Sequence, residues 1–464
     1  MRILTKEIVE LNGQEVEIAG WINARRDHGK IVFIDLRDRS GIVQIVFTPD
    51  KGCYADAAAA RAEWVVRVRG LVKRRPDSMV NADIATGHFE IEATSFEVIS
   101  QAEALPLPID GDGYDVDEMV RLKYRYLDLR RERLQKNMKV RSELMQIIRR
   151  YLIEREFCEI ETPLLTKSTP EGSRDFLVPS RMQPGKFYAL PQSPQQYKQL
   201  LMVAGFERYF QFPHCLRDED LRADRGFEHT QVDLEMSFVE QRDVMNLIEG
   251  LATTAFEKMG KKILQKPFPV FDYKEAMKKF GADKFDLRSE EEKNDETVAF
   301  AWVINFPVFE KDVATGQLTY SHNPFTAPRA EDIPDLLSGK NLEKLTSLQY
   351  DLVCNGYEIA GGGIRIHRPE VLEKIFEILG HSKEKIQEQF GHILEAFRYG
   401  VPPHGGVALG FDRWNMILSG EESMREVVAF PQTSGGQTSV MDAPSEVAKE
   451  QLDELGLQLK KVVR

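Results

Sequence analysis

The sequence predicts an α+β protein made of a small N-terminal β-barrel and a larger domain in which helices surround an antiparallel sheet. Three observations support this fold class. The first 102 residues contain five β-rich runs separated by turn-prone residues. A long amphipathic pattern then predicts a helix that ends near Phe157. Beyond it, strand-like and helix-like segments mix without the regular alternation of a parallel α/β sheet.

The composition is that of a globular protein. Hydrophobic residues make up 42% of the 464 positions, and no apolar stretch reaches the roughly 18 residues of a membrane span. The four cysteines lie far apart, so neither a zinc site nor a disulfide framework is predicted, and we expect a cytoplasmic protein. The net charge of −12 argues against a broad polyanion-binding surface. It does not exclude nucleic acid, because binding depends on where the basic residues lie.

Residues 1–102 predict a Greek-key barrel of the OB type. The five runs are "EVEIAGWI", "KIVFIDLRD", "GIVQIVFT", "WVVRVRGLVK" and "HFEIEATSFEVI". An alanine-rich segment, "YADAAAARAEW", predicts one helix between the third and fourth runs. Five strands with a helix at that place are typical of this small barrel.

The first hairpin of the barrel combines basic residues with an aromatic one. Arg25, Arg26, His28 and Lys30 precede Phe33. Basic residues interleaved with an aromatic ring suit stacking on single-stranded bases. An equally good interpretation places Phe33 in the core and leaves the arginines as a solvated edge.

The second domain is predicted to span 131–464, after a linker at 103–130 that begins rich in Pro, Gly and Asp. Its first element is the amphipathic helix, followed by a short strand in "CEIETPLL". The charged stretch 286–300 is interpreted as a solvated connector. Neither a dinucleotide-binding glycine motif nor a P-loop occurs, so any nucleotide must be held in another way.

The stretch "CLRDEDLRADRGFEHTQVDLEMSF" at 215–238 predicts a strand, a charged loop and a second strand. Residues two apart share a face of a strand, so Gln231, Asp233, Glu235 and Ser237 lie opposite the apolar face that ends at Phe238. Because guanidinium groups suit phosphate and an imidazole stacks on a base, the hairpin could clamp a purine nucleotide. The alternative is a surface hairpin laced with salt bridges.

Three further segments carry candidate binding residues. In "GYEIAGGGIRIH", Glu358 precedes three glycines and could hold magnesium, or the segment is a bulged strand with a surface carboxylate. Arg413 begins an apolar helical run, where a cation opposes the helix dipole and indicates an anionic partner. In "QSPQQYKQLL", a helix capped at Ser193 would place Gln195 and Lys198 on one face of its first turn.

Taken in this order, the motifs closely resemble the bacterial-type aspartyl-tRNA synthetases, which are class II aminoacyl-tRNA synthetases. The resemblance runs from Trp21 to about Leu457. The amphipathic helix with "EIETPLL" resembles class II motif 1, "LRDEDLRADRGFEHTQVDLE" motif 2 and "GGVALGFDR" motif 3. "TPEGSRDF" resembles the flipping loop of the family and "QSPQQYKQ" its amino-acid pocket.

The resemblance implies an ATP-dependent ligase that joins L-aspartate to tRNA through an aspartyl-adenylate, with Mg²⁺ as cofactor. Arg217, Glu219 and Arg413 would be catalytic. The residues expected to bind ATP are Arg217, Glu219, His229, Gln231, Asp351, Glu358, Gly410 and Arg413, with magnesium on Asp351 and Glu358. Those expected to bind aspartate are Glu171, Ser193, Gln195, Lys198, Asp233, His322 and Arg365. The anticodon residues would be Arg26, His28, Phe33, Gln44 and Arg75. Pro163 would lie at a homodimer interface.

The chain departs from the family in two places. The large insertion domain is reduced to the connector near 286–300, and His28 resembles the nondiscriminating members, which charge both tRNA-Asp and tRNA-Asn.

The alternatives are a strictly discriminating enzyme and a non-catalytic, synthetase-like regulator that binds tRNA. A regulator would be expected to lack one of Arg217, Glu358 and Arg413, and an asparaginyl enzyme would not need both Lys198 and Arg365.

Overall fold

A computed structural model of the protein describes residues 2–168, 172–311 and 316–460. The chain forms two compact units, an N-terminal unit that ends at Pro108 and a C-terminal unit that begins at Ile109. Within the described residues, no helix is both long and apolar enough to cross a membrane.

The N-terminal unit is a closed five-stranded barrel with one α-helix. Its elements are β1 (Glu15–His28), β2 (Ile31–Asp38), β3 (Gly41–Phe47), α1 (Tyr54–Ala59), β4 (Val65–Arg74) and β5 (Phe89–Ser100). The strands follow the order β1-β2-β3-β5-β4, and β4 pairs with β1 to close the barrel. Only β3 and β5 are parallel to each other. The predicted OB-type barrel and the position of its helix are confirmed.

Strict alternation of apolar and polar residues explains why β2 forms a barrel wall. Val32, Ile34 and Leu36 are almost completely buried in the barrel core, and the residues between them are only partly buried. Phe33 therefore lies on the outer face together with Asp35, since neighbouring side chains of a strand point to opposite faces. The interpretation of Phe33 as a core residue is wrong.

The C-terminal unit is an α+β domain. Its helices are α2 (Glu118–Lys123), α3 (Arg125–Asp128), α4 (Glu132–Ile153), α5 (Gln195–Val203), α6 (Gln241–Lys258), α7 (Tyr273–Phe280), α8 (Ile333–Ser338), α9 (Pro369–Ile378), α10 (Lys383–Phe397), α11 (Phe411–Ser419) and α12 (Lys449–Glu454). Its strands are β6 (Cys158–Glu159), β7 (Leu177–Pro179), β8 (Phe187–Ala189), β9 (Arg208–Gln211), β10 (His214–Leu216), β11 (Glu228–Ser237), β12 (Lys262–Ile263), β13 (Val270–Asp272), β14 (Thr297–Val298), β15 (Phe300–Ile304), β16 (Phe309–Lys311), β17 (Leu318–Tyr320), β18 (Gln349–Cys354), β19 (Tyr357–Ile364) and β20 (His404–Gly410).

Nine of these strands form one sheet, in the order β13-β15-β18-β19-β20-β11-β9-β6, with β10 also paired to β11. All the pairs are antiparallel except the outermost ones, β13–β15 and β6–β9. The centre of the sheet therefore consists of β18, β19, β20 and β11. These are the strands in which the sequence places its glycines and candidate carboxylates.

The main core lies on one face of this sheet. Helices α4, α6 and α11 contribute Leu144, Ile248 and Trp414, which pack with Val232 and Leu234 of β11. Each such side chain contributes roughly 1.5–3 kcal/mol when it is fully buried. Because the apolar residues of β11 point to the helices, its polar residues are left for the opposite face.

The structure differs from the sequence-based interpretation in three details. Residues 118–128, inside the predicted linker, form α2 and α3, where the guanidinium groups of Arg121 and Arg125 are buried around the carboxylate of Asp128. Strand β11 ends at Ser237, and Phe238 is exposed with a φ of 58°, so it does not continue the apolar face. Helix α5 begins at Gln195 without a capping side chain.

Candidate active site and nucleic-acid interface

The polar face of β11 forms the floor of a cavity of about 290 Å³. Strands β19 and β20, helix α5, the first turn of α11 and the loop between β10 and β11 complete its walls. The predicted site residues that line it are Ser193, Gln195, Lys198, Arg217, Glu219, His229, Gln231, Asp233, His322, Glu358, Arg365, Gly410 and Arg413. Of the other residues predicted for this site, Asp351 is buried and is not among the residues that line the cavity, and Glu171 lies outside the described residues.

A buried cluster of two cations and two carboxylates occupies one end of the cavity. Lys198 Nζ lies 2.9 Å from Asp233 Oδ2 and 3.3 Å from Glu235 Oε2. Arg365 donates from Nε to Glu235 Oε1 at 2.9 Å and from a terminal nitrogen to Glu235 Oε2 at 3.3 Å. Glu235 thus bridges the two cations that the sequence paired.

Glu235 was not predicted as a site residue, although its position in β11 could have indicated it. It follows Gln231 and Asp233 at intervals of two residues and shares their face. Its carboxylate is completely buried. Burial alone would raise the pKa of Glu235, but the charges of Arg365 and Lys198 outweigh burial and lower it. Glu235 therefore remains ionised and holds both cations in place.

Asp233 has one carboxylate oxygen directed away from Lys198. Among the described residues, its Oδ1 is buried and accepts no hydrogen bond. Burial raises the pKa of Asp233 to about 6, although Lys198 acts in the opposite direction. A buried acceptor without a partner costs about 1–3 kcal/mol, so this atom marks a place where a ligand's donor would be stabilised.

A chain of buried amides supports the same end of the cavity. Gln195 donates to Gln199 Oε1 at 3.1 Å, and the amide nitrogen of Gln199 lies 3.1 Å from His404 Nε2. His404 Nδ1 lies 2.8 Å from the carbonyl oxygen of Pro402. If Nδ1 donates to that carbonyl, Nε2 accepts from Gln199, and the imidazole is neutral. Gln195 is therefore held by residues behind it, rather than by its position on α5 alone.

The other end of the cavity is rich in guanidinium groups. Arg413, in the first turn of α11, donates to the carbonyl oxygen of Glu358 at 2.7 Å and to Asp224 Oδ2 at 3.0 Å. Arg225 donates to Glu219 Oε2 at 3.1 Å. Arg217 donates from Nε to the carbonyl oxygen of Gln192 at 3.4 Å. Both Asp224 and Arg225 line the cavity, although Asp224 was interpreted from the sequence only as part of the loop scaffold.

His229 lies among these cations as a neutral ring. Burial lowers its pKa to about 3, and the charges of Arg217, Arg413 and Arg225 act in the same direction. An uncharged imidazole beside three guanidinium groups suits the flat face of a base whose phosphates bind those groups. The arrangement therefore fits the predicted purine nucleotide clamp better than a salt-bridged surface hairpin.

Asp351 and Glu358 direct oxygens to one point. A Cβ atom added to Gly361 would lie 3.2 Å from both Asp351 Oδ1 and Glu358 Oε1. Burial and the neighbouring Glu358 raise the pKa of Asp351 well above its usual range. No group of three or more potential metal ligands occurs in the described part of the chain. Two carboxylates fit magnesium, which takes one or two protein carboxylates together with substrate phosphates and water.

In the N-terminal unit, the structure brings together four of the five predicted anticodon residues. Arg26 lies next to Phe33 across the β1–β2 pair, and its guanidinium is 2.9 Å from Asp35 Oδ2. Gln44 accepts from Arg26 at 3.5 Å and donates to Glu90 Oε2 at 3.1 Å. Glu90 also lies 3.4 Å from Arg75 Nε.

The sequence analysis did not identify every residue of this network. Asp35 and Glu90 complete the network, but they come from different strands, so no local spacing connects them with Arg26. Arg75 is buried, and two of its guanidinium nitrogens lack a hydrogen bond within the described residues. His28 is exposed at the end of β1, apart from the network.

Comparison with known proteins agrees with both units. Residues 117–434 match the family of class II tRNA synthetases (D, K and N), and residues 16–99 match the OB-fold nucleic acid binding domains. The chain is 42% identical to an aspartate–tRNA(Asp/Asn) ligase of Rubrobacter xylanophilus, over 96% of this chain and 95% of the relative. It is 39% identical to an aspartate–tRNA ligase of Staphylococcus saprophyticus, over 96% of this chain and 97% of the relative.

The solved structures show the same fold. An asparaginyl-tRNA synthetase of Pyrococcus horikoshii with asparaginyl-adenylate covers 93% of this chain and 98% of its own, with a TM-score of 0.75 and 24% identity. The alignment with the Rubrobacter protein spans 571 positions, more than the 464 residues of this chain, so that relative has residues without a counterpart here. The chain belongs to the class II tRNA synthetases of the D, K and N group and carries an N-terminal OB-fold nucleic acid binding domain.

Proposed function

We propose that this protein is an aspartate–tRNA ligase that activates L-aspartate with ATP and transfers the aspartyl group to tRNA. The observation that carries this proposal is the buried cluster of Lys198, Asp233, Glu235 and Arg365 at one end of the cavity. Its two cations suit the side-chain carboxylate of aspartate, and the unpartnered oxygen of Asp233 suits the ammonium group. Relatives about 40% identical over nearly the whole chain carry the names aspartate–tRNA(Asp/Asn) ligase and aspartate–tRNA ligase.

The cluster is also expected to select against asparagine. A neutral amide in place of the carboxylate would leave the donors of Lys198 and Arg365 incompletely satisfied in a buried site. Sites built for one polar group reject an analogue that lacks it by large factors for this reason. Ser193, Gln195, Glu171 and His322 are proposed to position the amino and α-carboxylate ends.

ATP is proposed to bind at the opposite end of the cavity. Arg217 would bind the α-phosphate, Arg413 the γ-phosphate, and His229 the face of adenine. Glu219 and Gln231 would orient the nucleotide, and Gly410 leaves the entrance to α11 without a side chain. Magnesium, held by Asp351 and Glu358, would neutralise phosphate charge when it is bound.

The proposed reaction begins with attack of the α-carboxylate of aspartate on the α-phosphorus of ATP. A carboxylate oxygen forms the new P–O bond, and pyrophosphate leaves with the electrons of the broken one. Arg217 stabilises the charge that develops on the α-phosphate oxygens, and Arg413 stabilises the leaving group. No side chain acts as a nucleophile, so the catalytic contribution is orientation and charge stabilisation.

In the second step, a hydroxyl of the terminal ribose of tRNA attacks the carbonyl carbon of the adenylate, and AMP leaves. The N-terminal barrel is proposed to bind the anticodon. Phe33 would stack on one base, with Arg26, Gln44 and Arg75 around it. The outward position of Phe33 and the ionic network beside it support this proposal.

Relaxed anticodon choice is a further part of the proposal. His28, which resembles the nondiscriminating members, is exposed at the end of β1. Ser78, a small residue near a second position that is expected to affect anticodon choice, occupies an exposed turn after Arg75. The names of the relatives include both aspartate–tRNA(Asp/Asn) and aspartate–tRNA ligases. Charging of purified tRNA-Asp and tRNA-Asn decides between a nondiscriminating and a discriminating enzyme. A nondiscriminating enzyme aspartylates both tRNAs, and a discriminating one aspartylates only tRNA-Asp.

A homodimer is proposed through the segment that contains Pro163. This residue is exposed, and the two leucines after it, Leu164 and Leu165, are more than half exposed. The adjacent strand β6 is the last strand of the sheet, so its outer edge can accept another chain. Light scattering after size exclusion tests this directly, since a mass near 106 kDa, twice the 53.1 kDa of the chain, is expected.

The insertion domain is proposed to be reduced to the connector near 286–300. Its residues 289–296 are mostly exposed and contain a single 3-10 turn, but the interpretation of the whole stretch as solvated is wrong, because residues 297–300 are buried where β14 and β15 form. The residues that line the cavity come from the sequence before and after this connector. We therefore expect aspartate activation to be intact.

Pyrophosphate exchange into ATP tests the proposed first step. The reaction is expected to require aspartate and to proceed at least about a hundredfold less efficiently with asparagine, because the two buried cations would lack their carboxylate. Exchange that does not depend on aspartate would contradict the proposal.

A further inference from the structure

Three cations at or next to the nucleotide end of the cavity are paired with carboxylates that line it. Two of these pairs, Arg413 with Asp224 and Arg225 with Glu219, come from the recognised motifs. The third joins Lys284 Nζ to Glu358 Oε2 at 2.8 Å. Lys284 lies outside all the motifs considered above, in the segment after α7.

The backbone around Lys284 is fixed on both sides. Helix α7 ends at Phe280 and is capped by Gly281, which has a φ of 73°. The chain then returns so that the rings of Phe280 and Phe285 stack at 4.0 Å. Phe285 is buried in a small core with Ala276 and Val353. Its carbonyl oxygen accepts a hydrogen bond from Gly356 N at 3.1 Å, two residues before Glu358. The lysine is therefore presented to Glu358 by a packed segment rather than by a solvated loop.

The two oxygens of Glu358 have different neighbours. Oε2 contacts Lys284, and Oε1 is directed to the point shared with Asp351. A cation bound between the two carboxylates would therefore not need to displace the lysine from Oε2. An ammonium group has three donors, and the side chain of Lys284 is 42% exposed, so donors remain for a ligand beside Glu358.

We propose that Lys284 binds the pyrophosphate portion of ATP, a role that rests on the proposed function of the site. The triphosphate carries more negative charge than Arg413 and Arg225 can neutralise while each keeps its carboxylate. Lys284 adds a partly exposed positive charge at Glu358 Oε2, the oxygen that does not face Asp351, and the guanidinium of Arg413 binds the carbonyl of the same Glu358. Glu358 then has two functions, as an oxygen ligand and as the support of a phosphate-binding lysine.

The test compares three ligands that contain different parts of the nucleotide. Lys284→Met is expected to raise the KM for ATP and the KM for pyrophosphate in the exchange reaction by about tenfold or more, as for loss of one charge-assisted hydrogen bond. Binding of an unreactive aspartyl-adenylate analogue, which lacks the pyrophosphate, is expected to remain within about twofold, and so is the KM for aspartate. Lys284→Arg is expected to restore most of the affinity for pyrophosphate.

Lys278→Met provides the matched control, because Lys278 lies on α7 and is exposed to solvent. Unchanged constants for ATP and pyrophosphate in Lys284→Met would overturn the proposal. Equal weakening of the adenylate analogue would also overturn it, because it would show that the lysine only supports the fold of the site. Absence of exchange in the unmodified protein would instead refute the proposed function.

Discussion

At the scale of single residues, Glu235 organises the buried cluster that is proposed to bind aspartate. Its carboxylate forms ion pairs with both Lys198 and Arg365, and all three residues are buried. A buried cation that loses its partner is costly, because its desolvation is no longer compensated. The pocket therefore depends on a residue that need not contact the substrate.

Glu235→Gln is expected to lower the free energy of unfolding by about 3–5 kcal/mol, the cost of breaking a buried ion pair. Urea denaturation followed by circular dichroism measures this change. Glu343→Gln is the control, since Glu343 pairs with Lys311 at the surface and its loss should cost no more than about 1 kcal/mol. Equal effects of the two substitutions would contradict the role given to Glu235.

A second residue-scale prediction concerns His229 and pH. Its pKa is lowered to about 3 in the folded protein, whereas an unfolded histidine has a pKa of about 6.5. Between these values the unfolded state binds a proton that the folded state does not, so His229 makes the protein less stable as the pH falls. His229→Gln should therefore reduce the slope of stability against pH between pH 6 and 4 by up to about 1.4 kcal/mol per unit. Parallel slopes for the two proteins in urea titrations would contradict this prediction.

The sequence allowed some of the functional residues to be predicted, but not others. Lys198, Arg217, His229, Glu358 and Arg413 could be identified from motifs because each lies in a locally distinctive stretch. Asp224 and Lys284 could not, because each acquires its partner only when distant segments meet. Asp35 and Glu90 in the barrel were missed for the same reason.

At the scale of elements, the glycines of β19 and β20 allow the central strands to lie close to the buried cluster. A Cβ atom at Gly406 would lie 2.1 Å from Glu235 Oε2 and 2.2 Å from the carbonyl oxygen of Leu234. No side chain fits there without displacing the carboxylate that holds Lys198 and Arg365. The glycine-rich pattern thus reflects close packing between strands. The sequence predicted a close approach at these glycines but did not identify β11 as the neighbouring strand.

Gly406→Ala is expected to destabilise the protein by about 1–3 kcal/mol and to raise the KM for aspartate, since overpacking displaces neighbouring atoms. Thermal unfolding and exchange kinetics measure the two effects. Gly410→Ala serves as the stability control, because its added Cβ would have no neighbour closer than 3.7 Å. A stable Gly406→Ala protein with an unchanged KM would show that β20 can move away.

The prediction of elements was most successful where the hydrophobic period was strong. The barrel strands, α4 and the alternating β11 all follow from residue spacing. The prediction failed at boundaries that depend on tertiary contacts. Helices α2 and α3 form inside the predicted linker because their arginines are buried against Asp128, and β11 ends before Phe238 because the backbone turns there.

At the scale of the whole molecule, the two units are proposed to perform separable tasks. The barrel has its own core, formed by residues such as Ile18, Val32 and Ile45, and its polar network lies on its outer face. The cavity of the C-terminal unit is lined entirely by residues of that unit. Substitutions in the two units should therefore affect different steps.

Phe33→Ala is expected to raise the KM for tRNA by about tenfold, because stacking of a base on an aromatic ring is worth about 1–3 kcal/mol. Aspartate-dependent pyrophosphate exchange in the absence of tRNA should be unchanged. Steady-state charging and exchange assays on the same preparation separate the two effects. Equal losses in both reactions would contradict the proposed division between the units.

The central claim is that the protein joins aspartate to tRNA with ATP, and aminoacylation measures this most directly. Radiolabelled aspartate or asparagine is incubated with the protein, ATP, magnesium and purified tRNA-Asp, and the labelled tRNA is then collected. We predict that aspartate becomes attached in an ATP-dependent reaction, that asparagine does not, and that Lys198→Met abolishes the product. Attachment of asparagine, or no aspartyl-tRNA from the correctly folded protein, would contradict the account.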